Sequence, residues 1–307
     1  MALVVAITGG TGFVGGHAIA EALRRGHGVR ALARRPQPRQ PGVEWIAGDL
    51  GDDRALARLV AGANAVVHIA GVTNARNRAG YAAGNIDGTA ALVRAATGLP
   101  FVHVSSLAAR LPGLSLYGWS KRQGEEIAMA RAAPTVALRP PAVYGPGDGE
   151  FPKLLKAARH GLLPLPKGAR TAMLYGPDLG RALVSLAEDL AGAGKSRGLV
   201  LEIDDGAGSY RPREMADSIG TALGRPVRAV EIPSMLLKMA ARADDAVAAL
   251  AGRLANLSPD RARYMAHPDW SADSSALLAL GLWAPETGLA AGMANTVAYC
   301  RRTGILP

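Results

Sequence analysis

An apolar run of strand length, Leu3–Ile7, stops at Thr8. Glycines then stand three residues apart at Gly9, Gly12 and Gly15, before an amphipathic stretch begins. That order constrains the fold more than any other feature of the chain. The first glycine turns the chain sharply, the second lets backbone N–H groups approach a diphosphate, and the third lets a helix lie close on the strand. The helix N-terminus then faces the phosphates with unpaired amides and a partial positive charge. Gly9, Thr11, Gly12, Phe13, Val14 and Gly15 are therefore candidate dinucleotide contacts. A glycine triple alone is weak evidence; strand–turn–helix context gives it weight.

Beyond this loop, strand and helix alternate. The spacing predicts strands over Leu3–Thr8, Val29–Ala33, Glu44–Ala47, Ala65–Ile69, Phe101–Ser105, Thr135–Leu138 and Leu199–Ile203. It predicts helices over Phe13–Arg25 (stopped by Gly26), Arg54–Ala61, Ala83–Ala96, Gly118–Ala132 and Leu179–Leu190. Continuous Val, Ile and Ala runs between helices imply an α/β fold whose doubly wound parallel Rossmann sheet is covered on both faces. After residue 145, Pro and Gly break the rhythm, and again from Asp204. The expected organisation is a dinucleotide-binding domain of residues 1–145 plus 178–203. A smaller, mainly C-terminal substrate-binding cap of residues 146–177 plus 204–307 would complete it.

At 307 residues and 49% hydrophobic, the chain can bury one large core with a cap beside it. No apolar run reaches the roughly 18 residues that span a bilayer, so no stable membrane insertion is expected. The N-terminal run lacks a basic leader and a cleavage site, and the one cysteine, Cys300, excludes an internal disulfide. Both features fit a cytoplasmic protein. A net charge of +10 invites nucleic acid, but the arginines are scattered and interleave with no aromatic stripe. The charge suits a phosphate-bearing cofactor or anionic small molecule better. A small-molecule substrate and no nucleic acid are the expected partners, and a homodimer is compatible with the chain. The six histidines show no metal-ligand spacing, so no metal is expected.

Cofactor choice is read at the end of the second strand. An NAD site places an acid there for the ribose 2′-hydroxyl, whereas a 2′-phosphate needs a cation. Here Ala33 stands in the acid's place and Arg34 follows. A guanidinium can grip phosphate with two parallel bonds, which predicts NADP(H) as the preferred cofactor, with NAD(H) left open. After the third strand, Asp49 and Leu50 are placed near the adenine, although Asp49 reads equally well as a turn residue. After the fourth, Ala70 and Gly71 offer small residues beside the adenine-side ribose.

The chemistry follows the fifth strand, which closes on Ser105-Ser106, while Tyr117 and Lys121 open the next helix four residues apart. Such a pair shares one helix face. The ammonium is expected to lower the phenol pKa so that the tyrosine exchanges a proton near neutral pH, and the lysine also holds the nicotinamide ribose. A serine hydroxyl beside the tyrosine would bind the substrate oxygen and stabilise charge developing on it.

With these residues in place, the sequence resembles the extended short-chain dehydrogenase/reductases, also described as the NAD-dependent epimerase/dehydratase family. Thr8–Gly15 is similar to the family's nucleotide loop, Asn85-Ile-Asp-Gly-Thr89 to its Asn-x-x-Gly-Thr helix, and Leu138–Pro146 to its motif after the sixth strand. His267–Trp270 and Leu280–Pro285 resemble its C-terminal ending. The resemblance implies Ser106, rather than its neighbour Ser105, together with Tyr117 and Lys121 as the catalytic set. It places Asn85 behind the lysine through a water, a cap or turn role being the alternative, and counts Pro140 among the cofactor contacts.

Departures from the family bear on substrate. Sugar-nucleotide epimerases carry Asn where this chain has Ala142, and the Leu107–Leu116 loop is short. Against that, Arg170 resembles an arginine that sugar-nucleotide enzymes use on phosphate. Arg34 is closer to the NADPH-dependent carbonyl reductases. The expected activity is an NADP(H)-dependent oxidoreductase moving hydride between nicotinamide and a carbonyl or secondary alcohol. The alternatives are a sugar-nucleotide epimerase or dehydratase with bound NAD(P), and a non-catalytic dinucleotide-binding scaffold or redox sensor. The Met-, Leu- and Ala-rich stretch Ser234–Ala251 suits helix packing, a wall for a lipophilic substrate, or contact with a membrane surface.

Overall fold

In the computed structural model, which describes residues 2–307, seven strands form one parallel sheet. Strands β1 (Val4–Thr8), β2 (Gly28–Ala33), β3 (Val43–Ala47), β4 (Ala65–His68), β5 (Phe101–Val104) and β6 (Thr135–Arg139) supply six. Four short strands then intervene: β7 (Ala142–Tyr144), β8 (Leu162–Pro166), β9 (Arg170–Thr171) and β10 (Met173–Tyr175). The seventh sheet strand is β11 (Val200–Glu202), and β12 (Arg228–Ile232) and β13 (Asp269–Trp270) follow it. The sheet order is β11-β6-β5-β4-β1-β2-β3, with Ile7 of β1 opposite Ala31 of β2 on one side and Val67 of β4 on the other. The winding direction reverses between β1 and β4, where ligands of open α/β sheets gather at the carboxyl ends of the strands. The apolar runs thus foretell each sheet strand to within one residue at either end.

Twelve α-helices complete the described chain: α1 (Phe13–Arg24), α2 (Asp53–Val60), α3 (Arg78–Ala82), α4 (Gly88–Ala95), α5 (Leu116–Met129), α6 (Phe151–Ala158), α7 (Gly176–Ala191), α8 (Pro212–Leu223), α9 (Ser234–Leu250), α10 (Pro259–Met265), α11 (Ser275–Ala279) and α12 (Leu289–Arg302). Alternation along each strand sends side chains to both faces. Val5, Ile7, Val102 and Val104 pack with Ala18 and Ala22 of α1 and Leu179, Leu183 and Leu186 of α7. Ala6, Val66 and Phe101 pack with Leu56 and Leu59 of α2, Leu92 of α4 and Ala128 of α5. Burial on both faces explains why the strands read as unbroken apolar runs.

The expected helices recur with ends shifted by up to three residues, except Ala83–Ala96, which differs in kind. The helical path starts earlier, at Arg78, where the Asn77 side chain accepts from Gly80 N, and it widens into a π-turn over Ala83–Asp87. Thr89 Oγ1 donates back to Asn85 O at 2.8 Å, a bond that competes with the regular helical ladder. Such bulges occur often at functional sites.

A second core gathers Tyr144, Leu155, Leu163, Met173, Ile219, Met293, Val297 and the buried Cys300. Around it β7 pairs with β10 and β8 with β12. The chain then returns to the first core, where Leu277 and Trp283 are buried and Trp283 Nε1 donates to Asp178 O at 3.0 Å.

Candidate active site

The turn after β1 is built from backbone that only glycine serves well. Gly9 has φ +74°, and a Cβ there would sit 2.7 Å from Ala70 N; a Cβ on Gly15 would overlap Gly9 O. Gly12 N donates to Gly9 O at 2.9 Å, and α1 starts with no side-chain cap, so its first amides are left for an anion. Thr11 and Gly12 are exposed, and Phe13 and Val14 partly so. This cradle fits a dinucleotide diphosphate. Beneath it, Thr8 Oγ1 lies 2.7 Å from His68 Nδ1, and His68 Nε2 lies 2.9 Å from Thr89 Oγ1, which ties β1, β4 and α4 together. Burial, and then the charge of Lys121, pushes the His68 imidazole down to about 3, so this strut stays neutral.

Around this turn lie the remaining cofactor candidates. Ala33 ends β2 buried, while Arg34 is exposed and forms no ion pair among the described residues. Asp49, past the end of β3, is exposed and uses Oδ1 to accept from Gly51 N at 2.8 Å, a turn bond that leaves its second oxygen uncommitted. Leu50 is half-buried against the sheet core. Ala70 and Gly71 follow β4, with Gly71 exposed beside Asn85 Oδ1.

Tyr117 occupies the first turn of α5, which Ser115 caps by accepting from Gly118 N at 2.9 Å. One turn on, buried Lys121 donates Nζ–H to Val104 O at 2.7 Å, at the carboxyl end of β5. The two serines have separate commitments. Ser105 donates to Glu125 Oε2 at 2.6 Å, and Glu125 is buried against Arg139. Ser106 caps the short turn Leu107–Arg110 through Ala108 N and lies against the Tyr117 hydroxyl. Buried Pro140 holds this turn by accepting from Leu107 N at 3.0 Å. Asn85 Oδ1 accepts from Val72 N at 2.7 Å, and its amide donates to Val72 O and Ser120 Oγ, each at 2.8 Å. Its side chain thus locks the loop after β4 to α5 directly.

Electrostatics differ from the simple pairing expected from spacing. Burial pushes the Tyr117 phenol up, opposed by the Ser106 hydroxyl, and pushes Lys121 down to about 8, opposed by the Glu125 charge. Desolvation therefore outweighs mutual attraction, because Lys121 directs its ammonium at a backbone carbonyl. His103, on β5 beside His68, is held well below its ordinary value by burial, and neither ring nitrogen has a protein partner.

A cavity of about 270 Å³ opens in front of Tyr117. Tyr81 of α3 and Tyr264 of α10 stand 6.4 and 6.0 Å from the Tyr117 ring, and the polar and charged side chains of Thr73, Asn74, Glu150, Lys153, Asn256, Asp260 and Arg261 line the rest. Asp260 Oδ1 accepts from Leu116 N at 2.8 Å, while its buried Oδ2 has no partner. Tyr81, Tyr264 and Asp260 escape sequence reasoning; Ser258-Pro259-Asp260 carries only the signal of a helix start. Arg170 pairs with Ser209 and does not line this cavity. A more open depression of about 520 Å³, between α8 and the start of α12, holds none of the candidate catalytic residues.

Among the described residues no group of acidic, histidine or cysteine side chains is placed to hold a metal, and no helix is long and apolar enough to cross a membrane. Against known families, residues 5–197 match the model described as "NAD dependent epimerase/dehydratase family". A "Ceramide reductase" from Caulobacter vibrioides is 38% identical over 312 residues, covering 99% of this chain and 96% of that protein. A "3-beta-hydroxysteroid dehydrogenase" from Mycolicibacterium neoaurum is 26% identical, covering 77% and 74%. Among solved structures, MoeE5 in complex with UDP-glucuronic acid and NAD superposes with a TM-score of 0.74 at 22% identity, over 98% of this chain and 100% of that one, a likeness of fold.

Proposed function

The chain belongs to the NAD-dependent epimerase/dehydratase family and is an NAD(P)-dependent oxidoreductase of a small substrate; on that premise we propose that it reduces a ketone of a lipophilic molecule, with NADPH as the preferred reductant. The carrying observation is the placement of Tyr117: its ring forms part of the wall of a cavity, with Ser106 against its hydroxyl and Lys121 one turn behind. The lipid and steroid named for the two relatives support a lipophilic substrate, and the three tyrosine rings give it apolar surface within a cavity otherwise lined by polar and charged side chains. Residues 146–177 and 204–307 serve as the substrate cap, apart from the stretch around Leu277 and Trp283 that packs on the sheet core.

When bound, the nicotinamide supplies hydride to the carbonyl carbon. The chain's own residues manage the oxygen. Ser106 donates a hydrogen bond to the carbonyl oxygen and polarises it. Tyr117, kept protonated by burial, gives its phenolic proton to the same oxygen as negative charge develops there. Lys121 holds the ribose and offsets charge left on the phenolate, and Asn85 fixes the loop and helix that carry them. The glycine turn with Thr11, Phe13 and Val14 seats the diphosphate, Arg34 grips a 2′-phosphate, and Asp49, Leu50, Ala70, Gly71 and Pro140 line the remaining cofactor path. A diphosphate-sugar substrate lacks comparable support, since Arg170 lies outside the cavity.

Absorbance of NADPH, followed with a panel of ketones of increasing chain length and with UDP-sugars, tests this reading. Net oxidation with long-chain ketones that Tyr117→Phe lowers by about 10²–10⁴-fold, while NADPH still binds, is the expected result. Near-normal turnover in that variant, or turnover of UDP-sugars without net NADPH loss, overturns it.

A further inference from the structure

Helix α9 packs on the protein through one narrow face and leaves a wide apolar face uncovered. Of its 17 residues only Ala241 and Ala248 are buried. Met235 and Leu250 are 71% and 91% exposed, and Leu236, Met239 and Val247 are each more than half exposed. At about 100° per residue these five fall within an arc of roughly 120°, away from the two alanines. Lys238 and Arg242, both exposed and without an ion pair among the described residues, flank one side of the arc. Asp244 is engaged with Arg253 and Leu257 N, which leaves Asp245 as the one uncommitted acid on the helix.

We propose that this face of α9 docks on an anionic lipid bilayer, lying in the interface without spanning it, and that it brings the cavity beside Tyr117 to membrane-resident substrate. The delivery half rests on the lipophilic-ketone reading above; the docking half does not. Three observations select a bilayer. The stripe is aliphatic and flexible, with Met, Leu and Val but none of the Trp, Tyr or Arg anchors that dominate protein interfaces. Cations border it where lipid phosphates would lie, on a chain of net charge +10 that repels a second copy of itself. The stripe also leads to the cavity: the segment after α9 accepts from Asn74 at Ala255 O, and Asn256 and α10 form the cavity wall.

Sedimentation of the full chain with vesicles of equimolar phosphatidylcholine and phosphatidylglycerol is the test. The wild type is expected to partition onto these vesicles and far less onto pure phosphatidylcholine. Met239→Asp/Leu250→Asp should lower partitioning at least tenfold, an expected loss of about that order for two exposed apolar contacts, with unchanged circular dichroism and unfolding midpoint. Absence of wild-type binding, equal binding by the double variant, or equal binding to neutral vesicles overturns the proposal. So does a dimer in light scattering that the double variant dissolves while neither form binds vesicles. The readout needs no turnover, so failure of the ketone panel leaves the docking result standing, and the reverse also holds.

Discussion

Arg34 stands at the carboxyl end of β2, exposed, without an ion pair among the described residues, and next to an Ala33 that offers no acid to a ribose hydroxyl. On the proposed NADPH reading, a guanidinium in that position would gain charge-assisted bonds to the 2′-phosphate worth about 1.5–3 kcal/mol. Arg34→Ala is therefore expected to raise the KM for NADPH by roughly 10–100-fold while leaving that for NADH little changed. Steady-state kinetics with both cofactors decide the matter; equal loss for the two removes the cofactor preference. The same scale separates Ser105 from Ser106. Adjacent in sequence, they face opposite duties because strand alternation turns one to Glu125 and the other to the mouth of the sheet.

Helix α5 shows what spacing can and cannot say. Tyr117 and Lys121 share a face, as their separation of four predicts, but the balance between attraction and desolvation depends on what buries them. Lys121 falls to about 8 from its ordinary 10.5, so it is protonated below pH 8 and loses its charge as pH rises through that value. Tyr117 is raised, so it remains a proton donor throughout neutral pH. The pH profile of ketone reduction should be flat near neutrality and fall above about pH 8, and Lys121→Arg should move that fall to higher pH. A wild-type profile still flat at the ordinary lysine pKa contradicts the role given to the ammonium. The sheet strands and the glycine turn are legible because each is a local pattern: an apolar run ended by Thr8, then three glycines at fixed spacing. The π-turn at Ala83–Asp87 is not, because it arises from Thr89 bonding back to Asn85 and from Asn85 reaching Val72 and Ser120. Tyr81 and Tyr264 are hidden for the same reason, since only the folded chain brings their rings around Tyr117.

Across the whole molecule, the two cores must keep a fixed relation if Tyr117 is to meet a substrate held by the other side. At the point of chemistry the Tyr264 ring stands edge-on to Tyr117, Trp270 packs with Leu107 and Ala108, and a capping bond joins them. Asp260, in the first turn of α10, accepts from Leu116 N, the first helical amide of α5 and the residue before Tyr117. That amide has no partner within its own helix, so the carboxylate both satisfies an orphan donor and favours the positive helix end. Removing it should cost about 0.5–2 kcal/mol, as losing a capping bond does, and lower the unfolding midpoint by a few degrees. Because α5 would then fray at Tyr117, Asp260→Ala is expected to lower kcat roughly tenfold while leaving NADPH affinity intact. Asp260→Asn, which keeps an oxygen acceptor, should recover most of the stability but not the full rate. Its charge is gone and the unpartnered Oδ2 at the cavity wall becomes an amide donor. Calorimetry paired with single-turnover kinetics separates the two effects. An Asp260→Ala protein with unchanged kcat would mean that this capping bond has no part in positioning Tyr117, and that the packing of Tyr264 and Trp270 suffices.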